Sequence, residues 1–200
     1  MKRRNILKLV PAAILSAGGI IGFSKFISAD SKSKSGQSED LANSGTLKKM
    51  ITKEELATLE RNPETITPIA MNDAQWREVL DDNAYAVLRK EATERPFSSP
   101  LDNEKRTGQF VCGGCGLALF ESNTKFDSRT GWPSFYDIIA GRMGEKTDWK
   151  IGYPRTEYHC ARCGGHQGHV FKDGPKPTGL RYCNNGLALK FIPEKGTSTS

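Results

Sequence analysis

Residues 109–120 read QFVCGGCGLALF, and residues 157–171 read EYHCARCGGHQGHVF. In both stretches an aromatic residue precedes a Cys-x-x-Cys pair, and a glycine follows it. Strand residues would lead to the first sulfur, and the glycine would allow a tight turn in which backbone amides point at the thiolates. Two such knuckles supply the sulfur ligands of a tetrahedral zinc site: Cys112, Cys115, Cys160 and Cys163.

The two pairs are separated by 44 residues, which indicates that most of a domain lies between the two halves of the site. Two disulfides, or a thioredoxin-like redox pair, are the alternatives. Duplication favours the metal, because a second redox motif would be redundant whereas a four-sulfur site requires both halves. Four thiolates leave no open position for water, so we expect the zinc to be structural.

Helical patterns precede the first knuckle. Thr52 and Glu55 form a capping-box pattern that would open a short helix, KEELATLE. A second helix is predicted to begin at Asn72, and a third covers residues 83–91.

From about Gly108 onward, short apolar or aromatic runs alternate with turn residues, which is typical of antiparallel strands. Helices followed by strands predict an α+β or mainly β domain, for which we set the bounds 72–193. Residues 51–71 would be an N-terminal extension with a short helix, and residues 194–200 a loose tail.

The N-terminus reads MKRRNILKLVPAAILSAGGIIGFSKFISAD, a basic start followed by an apolar run of about fifteen residues. This pattern favours an export signal over residues 1–29, of twin-arginine type, and hence a periplasmic protein. An uncleaved membrane anchor is the alternative. Residues 30–50, rich in Ser, Lys and Gly, are predicted to be a flexible linker.

The net charge of +6 has a local origin. Residues 1–29 hold five basic residues and no acidic one, while the remainder carries 24 basic and 23 acidic residues. We therefore expect no nucleic-acid partner, and membrane contact only through the N-terminal signal. We also expect a monomer.

The fifth cysteine, Cys183, lies in GLRYCNNG. On a strand, Arg181, Cys183 and Asn185 would share one face, and a fixed cation beside the sulfur favours the nucleophilic thiolate. The alternative is that Cys183 is a small buried hydrophobe.

Two of the three histidines fall in GGHQGHVFKDG, beside the second knuckle. With Cys183 they make a plausible nucleophile-plus-acid set, although spacing alone does not bring the residues together: His166, His169 and Asp173.

These motifs resemble the methionine-R-sulfoxide reductases of the B type. The likeness covers residues 72–193 through TERPFS, both knuckles, FDSRTGWPSFYD, CGGHQGHVFKDGPKPTGLRYC and ALKFIP. It implies a mainly antiparallel β fold of two small sheets and a structural zinc away from the active site. It also implies reduction of the R epimer of methionine sulfoxide, mostly in proteins.

The resemblance assigns roles to individual residues. Cys183 would be the catalytic cysteine, supported by Arg181 and Asn185. Trp132 would form an aromatic wall against the substrate methyl group, and Phe135 is assigned to substrate binding with it. A third group would hold water and supply a proton to the sulfoxide oxygen: His166, His169 and Asp173.

The chain departs from many members of that family ahead of GWPSF. Where some carry a resolving cysteine, this chain reads Ser128, Arg129, Thr130. We therefore expect an external thiol or a thioredoxin-like protein to reduce a sulfenic acid on Cys183. Asn184 and Gly186 replace a commoner aliphatic residue and a commoner serine.

Two rival functions belong to other classes. One is a non-catalytic zinc module that binds a protein through exposed aromatic residues such as Trp132 and Phe135. The other is a thiol-disulfide exchange enzyme acting on cysteines.

Overall fold

The computed structural model describes residues 48–195. The predicted export signal, residues 30–47 of the predicted linker and residues 196–200 of the predicted tail lie outside this range. Between residues 48 and 195, no helix is both long and apolar enough to cross a membrane.

Three short helices come early in the described chain: α1 (Lys53–Ala57), α2 (Asp73–Val79) and α3 (Asp82–Lys90). The capping box predicted at Thr52 and Glu55 is confirmed, and Asn72 caps α2 through a second one. The first helix is shorter than predicted, because Thr58 bonds back to the Glu55 carbonyl through both its backbone N–H and its hydroxyl.

Eleven strands are found between residues 48 and 195, in the following order: β1 (Lys49–Met50), β2 (Ile69–Ala70), β3 (Gly108–Cys112), β4 (Ala118–Glu121), β5 (Lys125–Phe126), β6 (Ser134–Phe135), β7 (Met143–Asp148), β8 (Arg155–Cys160), β9 (His166–Phe171), β10 (Arg181–Asn184) and β11 (Leu189–Pro193). Short 3-10 helices cover Pro100–Asn103, Ser122–Thr124 and Gly186–Ala188.

Most strands belong to two antiparallel sheets. A six-stranded sheet has the order β5-β6-β10-β9-β8-β7, and a three-stranded sheet has the order β11-β3-β4. The mainly antiparallel β fold is therefore confirmed. A third, two-stranded sheet pairs β1 with β2 in parallel and was not expected.

That third sheet corrects the predicted linker, which extended to residue 50. Lys49 donates its N–H to the Pro68 carbonyl at 3.0 Å and belongs to β1. Ile51 and Ile69 are only 3% and 2% exposed and pack in the main core. The predicted extension, residues 51–71, therefore packs into the same core as the strands that follow it.

The core lies between the two large sheets. Phe110 in β3 meets Phe135 in β6 edge-on at 4.9 Å, and Phe120 in β4 lies 6.3 Å from Tyr182 in β10. Aromatic pairs of this kind add about 0.5–1.5 kcal/mol beyond the area that they bury. Packing across the sheets holds β10, and with it Cys183, in a fixed place.

Candidate active site and metal centre

The two knuckles meet in one cluster of sulfur atoms. The first cysteine of each pair is the last residue of a strand, β3 or β8. Gly116 and Gly164 have φ values of 72° and 69°, and each donates its N–H to the carbonyl of that cysteine, at 2.9 and 2.8 Å. Four sulfurs lie within 4.8 Å of one another, as predicted: Cys112, Cys115, Cys160 and Cys163.

This cluster fits a metal ion such as zinc. Sulfurs at about 2.3 Å from one tetrahedral ion are roughly 3.8 Å apart. The Cys112–Cys163 and Cys115–Cys160 pairs are separated by 3.7 and 3.6 Å. All five cysteines are free thiols, so the structure does not support the disulfide alternative.

A buried glutamine side chain contacts the sulfur cluster. Gln167, fully buried, donates from Nε2 to the Cys112 sulfur at 3.6 Å. Contacts with the other sulfurs, together with burial, raise the pKa of Cys115 and Cys160 well above that of an ordinary thiol. A cation is therefore what would allow four thiolates to share this space.

Strand register sets the neighbours of Cys183. In β10 it pairs with His169 of β9 on one side and with Ser134 of β6 on the other. Directly paired residues project from the same face, with Cβ atoms about 4.5–5.5 Å apart. His169 in turn pairs with Glu157 of β8. One row across the sheet therefore carries a hydroxyl, a thiol, an imidazole and a carboxylate.

A cavity of about 140 Å³ opens at this row. The half-buried Cys183 and His169 both line it. Trp132 forms part of the wall, and its Nε1–H donates to the backbone carbonyl of Glu94 at 3.2 Å. The remaining lining residues are Thr93, Arg155, Gly168, Phe171, Asn184 and Asn185.

Asp148, which sequence reasoning missed, contacts His169. Its Oδ2 lies 2.8 Å from Nε2 of His169 and 2.5 Å from Nη2 of Arg155. The Lys150 N–H, His169 and Arg155 together hold the pKa of Asp148 far below its usual range. An ionised acceptor at Nε2 favours the tautomer protonated there and leaves Nδ1 free to accept a proton.

Burial lowers the pKa of His169 from its ordinary value, and the hydrogen bond to Asp148 only partly offsets this. The imidazole is therefore predominantly neutral at neutral pH. No local motif marks Asp148, since it reaches the site only through the pairing of β7 with β8.

The expected effect of Arg181 on Cys183 is opposed by burial in this structure. Burial raises the pKa of the Cys183 thiol, and the charge of Arg181 and the hydroxyl of Thr130 offset only part of that effect. Arg181 is also bound to Asp173, with its Nε and Nη2 each 2.9 Å from a carboxylate oxygen. The neutral thiol is favoured, because desolvation outweighs the attraction to the cation.

Known proteins resemble this chain in sequence. A SelR domain model matches residues 80–193. A peptide methionine sulfoxide reductase MsrB from Bradyrhizobium diazoefficiens is 52% identical over 127 residues, covering 63% of this chain and 91% of that protein. The protein of the same name from Pseudomonas putida is 53% identical over 123 residues, covering 61% of this chain and 92% of that protein. The one from Methanosarcina barkeri is 48% identical over 128 residues, covering 64% of this chain and 90% of that protein.

The chain belongs to the methionine-R-sulfoxide reductase B family. The SelR match includes both knuckles and Cys183, whereas β1, α1, β2 and α2 lie before it.

Besides Arg181, three residues assigned from the family pattern lie outside the cavity lining of this family member. His166 is 2% exposed, with Nδ1 2.9 Å from Oε1 of Glu157 and its ring 5.6 Å from that of His169. The side chain of Asp173 is 60% exposed and faces Arg181. Neither residue lines the cavity, so their assignment to the group that holds water and supplies a proton stays a prediction.

Phe135 is the third of these residues. It has no exposed surface and stacks on Phe120 with ring centroids 3.9 Å apart. Phe135 belongs to the core between the sheets. It therefore offers no surface with which to contact a substrate or a protein partner.

Asn185 lies beyond the end of β10, not on its face with Arg181 and Cys183 as predicted. It nevertheless lines the cavity, because the chain turns there into the 3-10 helix Gly186–Ala188. Its side chain binds backbone groups of Glu94 and Gln167.

The two smaller departures from the methionine-R-sulfoxide reductase B pattern have structural partners. Asn184 is fully buried, accepts the Tyr158 hydroxyl at 2.8 Å, and donates to the Asn185 carbonyl at 2.8 Å. A Cβ at Gly186 would lie 1.9 Å from the Ser99 hydroxyl. A serine at 186 would therefore not fit while Ser99 occupies that space.

Proposed function

We propose that this protein reduces methionine-R-sulfoxide in proteins to methionine. One observation carries the proposal: Cys183 and His169 are paired on adjacent strands at a cavity with an indole wall, and His169 is backed by the ionised Asp148. A nucleophile, a base and a group that orients the base are the parts that covalent catalysis requires. Membership of the family supports the same conclusion.

The proposed reaction starts from the neutral thiol of Cys183 and the neutral imidazole of His169. The Cys183 sulfur attacks the sulfoxide sulfur, and the thiol proton passes through Nδ1 of His169 to the sulfoxide oxygen. The proton makes the sulfoxide oxygen a hydroxyl group on an intermediate in which the two sulfurs are bonded. The sulfur–oxygen bond breaks, and the hydroxide then attacks the Cys183 sulfur. The sulfur–sulfur bond breaks in turn, which releases methionine and leaves Cys183 as a sulfenic acid. The substrate sulfur gains the two electrons that the cysteine sulfur loses.

His169 and Trp132 supply different contributions. Proton transfer through a positioned imidazole typically accelerates a reaction by about 10²–10⁴-fold. Asp148 would stabilise the imidazolium formed during the transfer. The indole of Trp132 offers an apolar face to the S-methyl group, which would orient the sulfur and select one epimer by shape.

Regeneration is proposed to use an external reductant. Thr130 belongs to the stretch 128–130, where some members of the family carry a resolving cysteine, and its hydroxyl is close enough to Cys183 to lower the pKa of that thiol. The other four cysteines belong to the four-sulfur cluster. A small thiol or a thioredoxin-like dithiol would displace water from the sulfenic acid to give a mixed disulfide. A second thiol would then release Cys183 and leave the oxidised reductant.

We propose that zinc is the metal of the four-sulfur cluster, one ion per chain. It would be held by Cys112, Cys115, Cys160 and Cys163, and it would clamp the ends of β3 and β8 without taking part in a reaction step. Four sulfur ligands saturate the ion, which is the property of a structural site.

Resolved epimers of a sulfoxide peptide, offered with dithiothreitol, test the proposal. Conversion of the R epimer alone, lost in Cys183→Ser with the metal content unchanged, is expected. A non-catalytic binding module predicts no conversion by either protein. A thiol-disulfide exchange enzyme predicts turnover of a disulfide peptide but not of the sulfoxide.

Export is proposed on the sequence of residues 1–29 alone. Fractionation of cells expressing the full chain would locate the protein. Recovery from the periplasm supports a cleaved signal, and recovery from membranes supports the anchor. Recovery from the cytoplasm, unchanged by replacing Arg3 and Arg4 with lysine, would contradict export.

A further inference from the structure

Glu94 is a buried carboxylate that the proposed reaction does not use. It lies after α3 and is 8% exposed. Its Oε1 accepts the Gly186 N–H at 2.6 Å, and its Oε2 accepts the Leu187 N–H at 3.0 Å. The carboxylate thus holds the turn that follows Cys183, across more than ninety residues of sequence.

The backbone of the same residue binds two lining residues of the cavity. The Glu94 N–H donates to Oδ1 of Asn185 at 3.0 Å, and its carbonyl accepts Nε1–H of Trp132 at 3.2 Å. Thr93, the preceding residue, lines the cavity itself. Glu94 is therefore in contact both with the indole wall and with the segment that carries the sulfur.

We propose that Glu94 is a positioning residue that fixes the Trp132 indole relative to the Cys183 sulfur. Its side chain anchors the 93–95 segment to the turn after β10, and its carbonyl then sets the position of the ring. This inference deepens the proposed function, since the ring matters for catalysis only if it faces a sulfoxide methyl group. The placement of the ring can be tested without that assumption.

A carboxylate suits this position for a geometric reason. Two N–H groups of consecutive residues converge on one side chain, and two equivalent acceptor oxygens are needed to satisfy both. Hydrogen bonds to an ionised acceptor are roughly twice as strong as neutral ones. Glutamine has the same shape but turns an NH₂ group toward one of the two donors.

The test compares Glu94→Gln with Glu91→Gln. Glu91, three residues earlier, contacts Lys146 and Lys150 at the surface and is the matched control. Glu94→Asp keeps the charge but is one methylene shorter, and it provides the second variant if Glu94→Gln fails to fold.

The first readout is the indole N–H region of a proton–nitrogen NMR spectrum. The chain has three tryptophans in distinct settings: Trp76 is 1% exposed, Trp149 is 65% exposed, and Trp132 binds Glu94. The Trp132 signal is identified by its loss in Trp132→Phe. In Glu94→Gln we expect this signal to shift and to exchange with deuterium roughly tenfold faster, as for the loss of one hydrogen bond. The Trp76 signal should stay unchanged.

The second readout is activity. Glu94→Gln should lower kcat/KM for the R epimer by roughly tenfold and lower the preference for R over S, while Glu91→Gln changes neither. Alkylation of Cys183 by iodoacetamide should stay within about twofold of the parent in both variants. Partial recovery in Glu94→Asp is expected, because both acceptor oxygens remain.

An unchanged Trp132 signal in Glu94→Gln would overturn the inference. So would a fall in R-epimer turnover with the epimer preference intact, since that result indicates a general loss of structure. If the parent protein reduces neither epimer, the proposed function fails, and the NMR comparison still decides whether Glu94 positions the ring.

Discussion

The hydrogen bond between Tyr158 and Asn184 offers a quantitative test of how the region behind Cys183 is built. Both side chains are fully buried, and the Tyr158 hydroxyl donates to Oδ1 of Asn184 at 2.8 Å. Burial raises the pKa of Tyr158 well above its usual value, so the hydroxyl stays a donor at any pH at which the protein would be tested. Tyr158→Phe removes the donor and leaves a buried acceptor without a partner.

The expected cost follows from that burial. An unsatisfied buried polar group costs about 1–3 kcal/mol. At about 2 kcal/mol, Tyr158→Phe should lower the melting temperature by about 4–8 °C for a unit of this size. Asn184→Leu, nearly the same shape, should cost a similar amount by stranding the Tyr158 hydroxyl. The Asn185 carbonyl keeps its bond from Ala188 N–H in either case.

The double variant Tyr158→Phe/Asn184→Leu tests whether the two single losses come from the same hydrogen bond. With both polar partners replaced by apolar groups of similar shape, most of the lost stability should return. Denaturant unfolding of the four proteins gives the coupling energy, expected at about 1–2 kcal/mol. Additive losses in the double variant would refute the reasoning, as would a change below about 0.5 kcal/mol in Tyr158→Phe.

Three further predictions concern the metal and the reacting groups. Cys160→Ser should lose the bound metal and most of the fold, seen by metal analysis and circular dichroism, because one ligand of the cluster is removed; retention of one ion per chain would contradict this. Asp148→Asn should lower the pKa of His169 further, and the proposed reaction needs the neutral imidazole, which is lost as pH falls through that pKa. Activity should therefore persist to lower pH, while its plateau drops. A pH profile whose acid limb moves to higher pH would contradict the role assigned to Asp148. Thr130→Cys should form a disulfide with Cys183 after one turnover, detected by mass spectrometry as the loss of two hydrogens, and a persistent sulfenic acid would show that the two side chains do not meet.

The parts of the fold that short motifs encode could be predicted from the sequence. The capping box at Thr52 depends on residues three apart, and the sulfur cluster depends on two Cys-x-x-Cys-Gly turns whose glycines take positive φ. Both are local, so composition and spacing are sufficient. The position of β1 was not predictable in this way, because Lys49 and Met50 become a strand only by pairing with β2.

The site was predictable only in part, because several of its contacts join residues that are far apart in the sequence. Strand alternation placed Arg181 and Cys183 on one face. It wrongly placed Asn185 on that face as well, because β10 ends at Asn184. Asp148 enters through the pairing of β7 with β8, and Glu94 through contacts with residues more than ninety positions away. Glu94 falls in the TERPFS motif, but the motif does not say what its carboxylate contacts, and Asp148 belongs to none of the motifs quoted.

The protonation state of Cys183 shows why a nearby charge is an incomplete guide. A guanidinium beside a thiol favours the thiolate, yet Arg181 is already paired with Asp173, and the sulfur lies in a site where desolvation prevails. A neutral thiol beside a neutral imidazole holds as many protons as a thiolate beside an imidazolium, and burial of both groups favours the uncharged pair. The thiolate is also the form that oxidants attack. We infer that a neutral thiol at Cys183 makes the sulfur of the resting protein less open to oxidation than a thiolate would be.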